Sequence, residues 1–261
     1  MRLSWRLGRL AGIDLFLHPS ALLLFFLVSG AFSSGLEAMA FVAALLGSIV
    51  LHELGHALMA RRYGIGTADI TLYLFGGVAR LERMPRSAGP ELLIALAGPA
   101  VNVAIAVALA GLLSLTSVAG ISSSLVSYIL YTNIGLVVFN LLPVFPMDGG
   151  RVLRALLSGW LGRPKATEVA ASIGRVLAVV GGLTFLYMGN FQAVILAIFV
   201  YMAGAMELRQ VRSEGRRTGV PEGFDESAAP PLGYRWADRG DGVWRLVPIM
   251  VPVGERDRSW S

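Results

Sequence analysis

The chain holds three histidines, and two of them stand four residues apart in His52-Glu53-Leu54-Gly55-His56. On a helix this spacing sets the imidazoles about 6 Å apart along the axis and about 40° apart around it, so both reach one ion. The Glu53 carboxylate then stands beside the ion, placed to act on a water bound there. With three His and ten Glu in 261 residues, a random chain of this composition shows the pattern about once in a thousand. The plain alternative makes His52 and His56 satisfied polar residues among Gly, Ala, Val, Leu and Ile. Ionisable groups are costly in such surroundings, so the pattern reads as a metal site for hydrolysis by water.

A catalytic zinc takes three protein ligands and keeps one position open. The sequence has no cysteine, which excludes thiolate sites, disulfides, iron–sulfur clusters and a cysteine nucleophile together. The third ligand must be His, Asp or Glu, and NLLPVFPMDGGR at 140–151 offers Asp148. Pro143 and Pro146 end a helix and Gly149–Gly150 loosen the chain beyond it, which predicts Asp148 on non-helical backbone. Such backbone at membrane depth is tolerated only where it is buried in protein or lines a wet cavity. Alone, the stretch reads as a proline-terminated helix entering a basic loop; beside HELGH it reads as a ligand. Asn140 is placed either to bond substrate backbone or the oxyanion, or to join two helices. His18 is expected to cap a helix or line an entrance. Gly98 and Pro99 suit close helix approach, Asn102 can support a ligand, and Arg175 can snorkel to the interface.

These residues need a membrane scaffold. The chain is 55% hydrophobic and 15% charged, with mean hydropathy +0.67, which excludes an ordinary soluble globule and a disordered chain. The net charge of +5 lies between apolar segments and implies no nucleic-acid partner. Six spans are expected, at about 19–36, 39–60, 91–112, 124–143, 169–188 and 190–207. Arginines fall before the first span and after the second, fourth and sixth, which predicts a multi-pass protein of the cell membrane with both termini cytoplasmic. By helix rise from Arg61–Arg62, His56 then lies roughly 7 Å and His52 roughly 13 Å inside the cytoplasmic edge. Residues 68–82 read as a β-hairpin about Gly76–Gly77, and 3–17 alternate loosely. The Leu72–Gly77 stretch offers an open edge on which an unwound substrate strand can pair, with Gly76 and Gly77 permitting close approach. The expected division is a segment 1–18 with a possible strand, a six-helix membrane domain 19–208, and a cytoplasmic tail 209–261. That tail carries a small hairpin about a DRGDG turn and has no room for a PDZ-sized domain. The fold class is all-α polytopic membrane protein with a small membrane-associated β-sheet.

Taken in order, HELGH, AGPAVN at 97–102 and NLLPVFPMDGG resemble the HExxH, GPxxN and NxxPxxxxDG motifs of the site-2 proteases, intramembrane zinc metalloproteases of regulated intramembrane proteolysis. The resemblance covers about residues 10 to 205 and is greatest to the compact bacterial type related to the sporulation factor processing protease. It implies one zinc per chain on His52, His56 and Asp148, with Glu53 as acid and base. It also implies a three-helix core from spans two to four and a sheet from 10–17 and 68–82. Its substrates would be membrane-anchored proteins in the lipid bilayer, with room for a regulatory membrane protein. The competing class is a six-helix transporter or metal channel using the His/Asp cluster in transit. Such folds pair broken helices in symmetric halves, whereas this chain has one proline-broken span and no repeat.

Overall fold

The computed structural model describes residues 4–74, 76–83, 85, 87–118, 124–218, 234–238 and 244–248. Two compact units divide it, Met1–Glu207 and Leu208–Ser261. The first unit opens on strands β1 (Trp5–Leu10) and β2 (Ile13–Leu17). Their turn, Ala11–Gly12, has φ of 51° and 88°, the left-handed pair that matches the twist of a two-residue hairpin. Arg6 donates to Asp14 across this hairpin at 2.7 Å and holds that exposed carboxyl below its ordinary range. A short apolar helix α1 (Pro19–Ala31) comes next. His18 is its N-cap, with Nδ1 accepting from the Ser20 amide, as expected of that residue.

Helix α2 (Gly35–Arg62) carries HELGH. Ser34 caps it by accepting from the Glu37 amide at 3.2 Å, Arg61 and Arg62 face the negative end of its dipole, and Gly64 at φ 67° turns the chain away. Strands β3 (Thr67–Tyr73) and β4 (Gly76–Leu81) form the expected hairpin. The sheet order is β1-β2-β3-β4, with β2 and β3 parallel and the outer pairs antiparallel. Ile13 and Ile70 pack on Ala57, with Leu15, Leu54 and Ala79 around them. Burial of each isoleucine contributes about 1.5–3 kcal/mol, so the sheet is fixed on the α2 face of Leu54 and Ala57, beside Glu53 and turned away from the histidines.

Helix α3 (Ala88–Val118) contains Pro99 and lies close against α2. A Cβ on Gly55 would meet the Ala97 carbonyl oxygen at 2.7 Å, so only glycine allows this approach. Helices α4 (Ser124–Asn140), α5 (Asp148–Leu161), α6 (Arg163–Tyr187) and α7 (Phe191–Thr218) complete the bundle. In the second unit β5 (Tyr234–Asp238) pairs antiparallel with β6 (Trp244–Pro248); Arg239–Gly242 of the expected turn lie outside the described residues.

Three expectations are corrected. Among the described residues three helices, not six, are long and apolar enough to cross a membrane: Gly35–Arg62, Ala88–Leu115 and Arg163–Tyr187. The first predicted span is a 3₁₀–α–3₁₀ segment, and the fourth is the 17-residue α4, whose length of about 26 Å falls short of a ~30 Å hydrocarbon core. The sixth lies within α7, which continues to Thr218. Next, Asp148 is not on irregular backbone but is the first residue of α5. Gly149 and Gly150 serve contact rather than looseness: a Cβ on Gly149 would collide with the Leu141 and Leu142 carbonyls, and one on Gly150 would meet Phe145 N at 2.8 Å. Lastly, Leu72 sits in an interior strand, paired with Leu17 and Gly77, so the open edge of this hairpin is β4.

Many large apolar side chains point outward, Phe26 and Leu115 each 72% exposed, as a lipid-facing surface requires. One charged cluster runs against that pattern. Arg154 of α5 is 1% exposed and donates to Glu91 of α3, with Nε to Oε1 at 2.7 Å, and to Glu207 of α7. Its guanidinium also lies 5.1 Å from the Phe145 ring centroid. Three helices are thereby tied around the loop that delivers Asp148. Removing one partner from such a buried cluster costs about 3–5 kcal/mol.

Candidate metal centre

His52 and His56 come from one face of α2, as their spacing requires, and Asp148 enters from the N-terminus of α5. All three are buried. Nε2 of His52 lies 3.2 Å and Nε2 of His56 3.1 Å from Asp148 Oδ2, and the two Nε2 atoms are 3.1 Å apart. The other ring nitrogens are engaged: Nδ1 of His56 donates to the Ile94 carbonyl at 2.7 Å, and Nδ1 of His52 meets Asn102 Oδ1 at 2.5 Å. Neutral rings that donate through Nδ1 turn bare Nε2 lone pairs toward a carboxylate oxygen. Three acceptors face one another with no donor among them, and a cation satisfies all three.

The size of the triangle fits zinc. Tetrahedral bonds of about 2.0–2.1 Å place ligand atoms about 3.3 Å apart, close to the sides measured here. Space for the ion is open because residue 98 is glycine: a Cβ there would lie 2.7 Å from His52 Nε2 and nearer still to His56 Nε2. Among the described residues this is the group of His, Asp and Glu able to hold a metal.

Glu53 is half-buried, and its Oε2 accepts the Ala79 amide of β4 at 3.1 Å. Gly77 presses on the same side chain, since a Cβ there would fall 2.6 Å from Glu53 Cγ. Gly76 opens β4 at φ 139°, a conformation that favours glycine. The hairpin therefore meets the site at Glu53. Asn140 ends α4 half-buried, and among the described residues no hydrogen bond joins it to the triad. Arg175 bonds Ser172 Oγ and the Ala171 carbonyl on its own helix, away from the triad. Asn102 does bond His52, and it continues into residues that the sequence alone does not single out. Its Nδ2 donates to Asn133 Oδ1 at 2.9 Å, and Asn133 Nδ2 reaches Ser48 Oγ at 3.2 Å. The available signal is an amide in the middle of apolar α4, which demands a partner.

Comparison with known proteins gives the same direction. The model of Peptidase family M50 matches residues 40–124 and 115–181. A zinc metalloprotease of Methanocaldococcus jannaschii is 36% identical over 82% of this chain and 63% of its own length. The Mycobacterium tuberculosis protein Rip3 is 32% identical over 99% of this chain and 73% of that protein, and stage IV sporulation protein FB of Bacillus subtilis is 29% identical over 64% and 58%. The chain thus spans under two thirds of the first of these relatives. Among solved structures, the site-2 protease from Methanocaldococcus jannaschii superposes with a TM-score of 0.59 at 36% identity, covering 78% of this chain and 95% of that one. By motif order, fold and similarity alike, the chain belongs to peptidase family M50, the site-2 proteases.

Proposed function

We propose that the protein is an intramembrane zinc endopeptidase that cuts membrane-anchored proteins in or near their transmembrane segments. The convergence of two bare imidazole nitrogens and one carboxylate oxygen on ion-sized space carries this reading. His52, His56 and Asp148 would hold one zinc, which supplies Lewis acidity toward a peptide carbonyl and lowers the pKa of water toward ~7. Glu53 takes the proton of the attacking water and returns it to the leaving amine nitrogen. The transporter reading has no counterpart in the family match.

A transmembrane helix hides its peptide bonds in its own hydrogen-bond ladder, so substrate must unwind before hydrolysis. Strand β4 offers replacement bonds along its open edge. A strand added there meets the Glu53 carboxylate at one shared amide, that of Ala79, which brings its peptide bonds to the proton carrier. Gly76 and Gly77 allow the close approach, and Asn140 remains a candidate to bond the substrate backbone farther along.

The termini and the two longer loops, after α2 and after α4, are assigned to the cytoplasm. Arg163 at the start of α6 donates to the Pro85 carbonyl at 2.6 Å, which supports placing those two loops on one side. Reporter fusions after residues 36 and 115 should read external and those after 86 and 165 internal; one reversed pair overturns the assignment.

Metal content tests the ligand set. Purified protein should carry one zinc per chain, and Asp148→Ala should lower zinc affinity by more than about 100-fold, the upper end for changes outside the ligand shell. Unchanged zinc in Asp148→Ala would remove the third ligand from the proposal. Loss of zinc together with cleavage of a helical reporter substrate would support it.

A further inference from the structure

The geometry points to Asn133 as the residue that fixes which nitrogen of His52 is left bare for the metal, through a one-way relay of hydrogen bonds running Ile129, Asn133, Asn102, His52. The inference rests on the metal reading of the triad. It adds a positioning residue that lies on a different helix from the ligands and touches none of them.

The relay has a single self-consistent direction. Asn133 Nδ2 lies 2.9 Å from the Ile129 carbonyl oxygen, and a backbone carbonyl only accepts. That anchors the nitrogen end of the Asn133 amide toward Ile129, with Ser48 Oγ as its second acceptor at 3.2 Å. Asn133 Oδ1 is then an acceptor, so the Asn102 atom 2.9 Å from it must be Nδ2. Asn102 in turn presents Oδ1 to His52 Nδ1 at 2.5 Å. An amide oxygen cannot donate, so His52 Nδ1 carries the proton and Nε2 keeps its lone pair.

Burial makes the direction binding. Asn102 and Asn133 are each 0% exposed and Ser48 and His52 each 5%, so bulk water cannot satisfy a reversed amide. Turning the Asn102 amide over would set two donors, or two acceptors, face to face in a dry interior, where each unmade bond costs about 1–3 kcal/mol. His56 needs no relay because its Nδ1 already faces a backbone carbonyl. The two ligands of HELGH are therefore poised by different means: one directly by α3 backbone, the other at two removes by α4 backbone.

Carboxylate substitution at Asn102 isolates this role from packing. A carboxylate accepts through either oxygen, so Asn102→Asp keeps an acceptor before His52 Nδ1 whichever way it turns, while its second oxygen is set against Asn133 Oδ1, a contact that removing the Asn133 amide relieves. Zinc affinity is measured by chelator competition on full-length protein in detergent. Asn133→Leu should lower it about 10–100-fold, whereas in the Asn102→Asp background the same change should cost less than about threefold. Equal losses in both backgrounds would overturn the relay and leave Asn133 a packing residue. Nitrogen-15 spectra of ring-labelled histidine, simplified by the presence of only three histidines, give a readout that needs no metal and no variant. Metal-free protein at alkaline pH, with neutral rings, should show His52 protonated at Nδ1. Protonation at Nε2 would overturn the inference even if zinc binds, while failure of wild-type protein to bind zinc with His52 protonated at Nδ1 would strike the metal reading and leave the relay standing.

Discussion

Glu53→Gln should keep one zinc per chain and cleave a transmembrane reporter about 10²–10⁴-fold more slowly, the usual contribution of a positioned proton carrier. Glutamine matches glutamate in shape, and its amide oxygen can still accept the Ala79 amide, so β4 and α2 stay in register. The capacity to take a proton from water and hand it to the amine is lost. Metal analysis and turnover must therefore separate in this variant. Wild-type turnover by Glu53→Gln would end the assignment of Glu53, and loss of zinc together with turnover would show that the residue shapes the site rather than moving a proton. The same protein, unable to complete the reaction, should retain substrate, and cross-linking with mass spectrometry would identify it.

Gly98→Ala should abolish tight zinc binding with a single added methyl group. An ideal Cβ at this position occupies the space before His52 Nε2 and His56 Nε2, where the ion would sit. Alanine is a better helix former than glycine by about 1 kcal/mol, so α3 itself has no reason to unravel. The expected result is a folded, thermally stable protein whose zinc affinity falls by more than about 100-fold and whose cleavage falls with it. Zinc binding within twofold of wild type in Gly98→Ala would mean that the ion does not occupy the space in front of Gly98. Loss of fold instead would trace to α3 moving off α2.

The local parts of this arrangement are legible in the sequence because they derive from one helix and one small set of donor atoms. The four-residue spacing of His52 and His56 dictates a shared face, and the absence of cysteine narrows the remaining donor to a few carboxylates, of which Asp148 alone comes after a double-proline break. The β3–β4 hairpin is legible for a similar reason, since alternating β-formers about Gly76–Gly77 encode a local turn. Asn133 and Ser48 are not, because a polar residue in an apolar helix declares that it needs a partner without naming one. The start of helix α5 is hidden by its glycines. Gly149–Gly150 after two prolines reads as loop, whereas their role is to let the Leu141–Met147 turn lie directly on the helix start. The free edge of the sheet is hidden too, because β3 gains its second neighbour from residues some fifty positions earlier, a pairing that no local pattern announces.

The parallel pairing of β2 with β3 sets a parity rule on the chain. Strands of one sheet lie on one side of a bilayer, so the stretch from Leu17 to Thr67 must pass through the hydrocarbon an even number of times or not at all. Helix α2 is long and apolar enough for one passage, and a second, to return the chain to the side of the sheet, would then be needed from the shorter segment His18 to Ser34. Its 3₁₀ turns, which rise about 2.0 Å per residue against 1.5 Å in an α-helix, lengthen that reach. The same rule orders assembly. Hairpin β1–β2 can close as soon as it is made, but β2 has no second partner until α2 has been inserted and β3 has emerged behind it. The four-stranded sheet can therefore be completed only after the helix bearing His52 and His56 has been made.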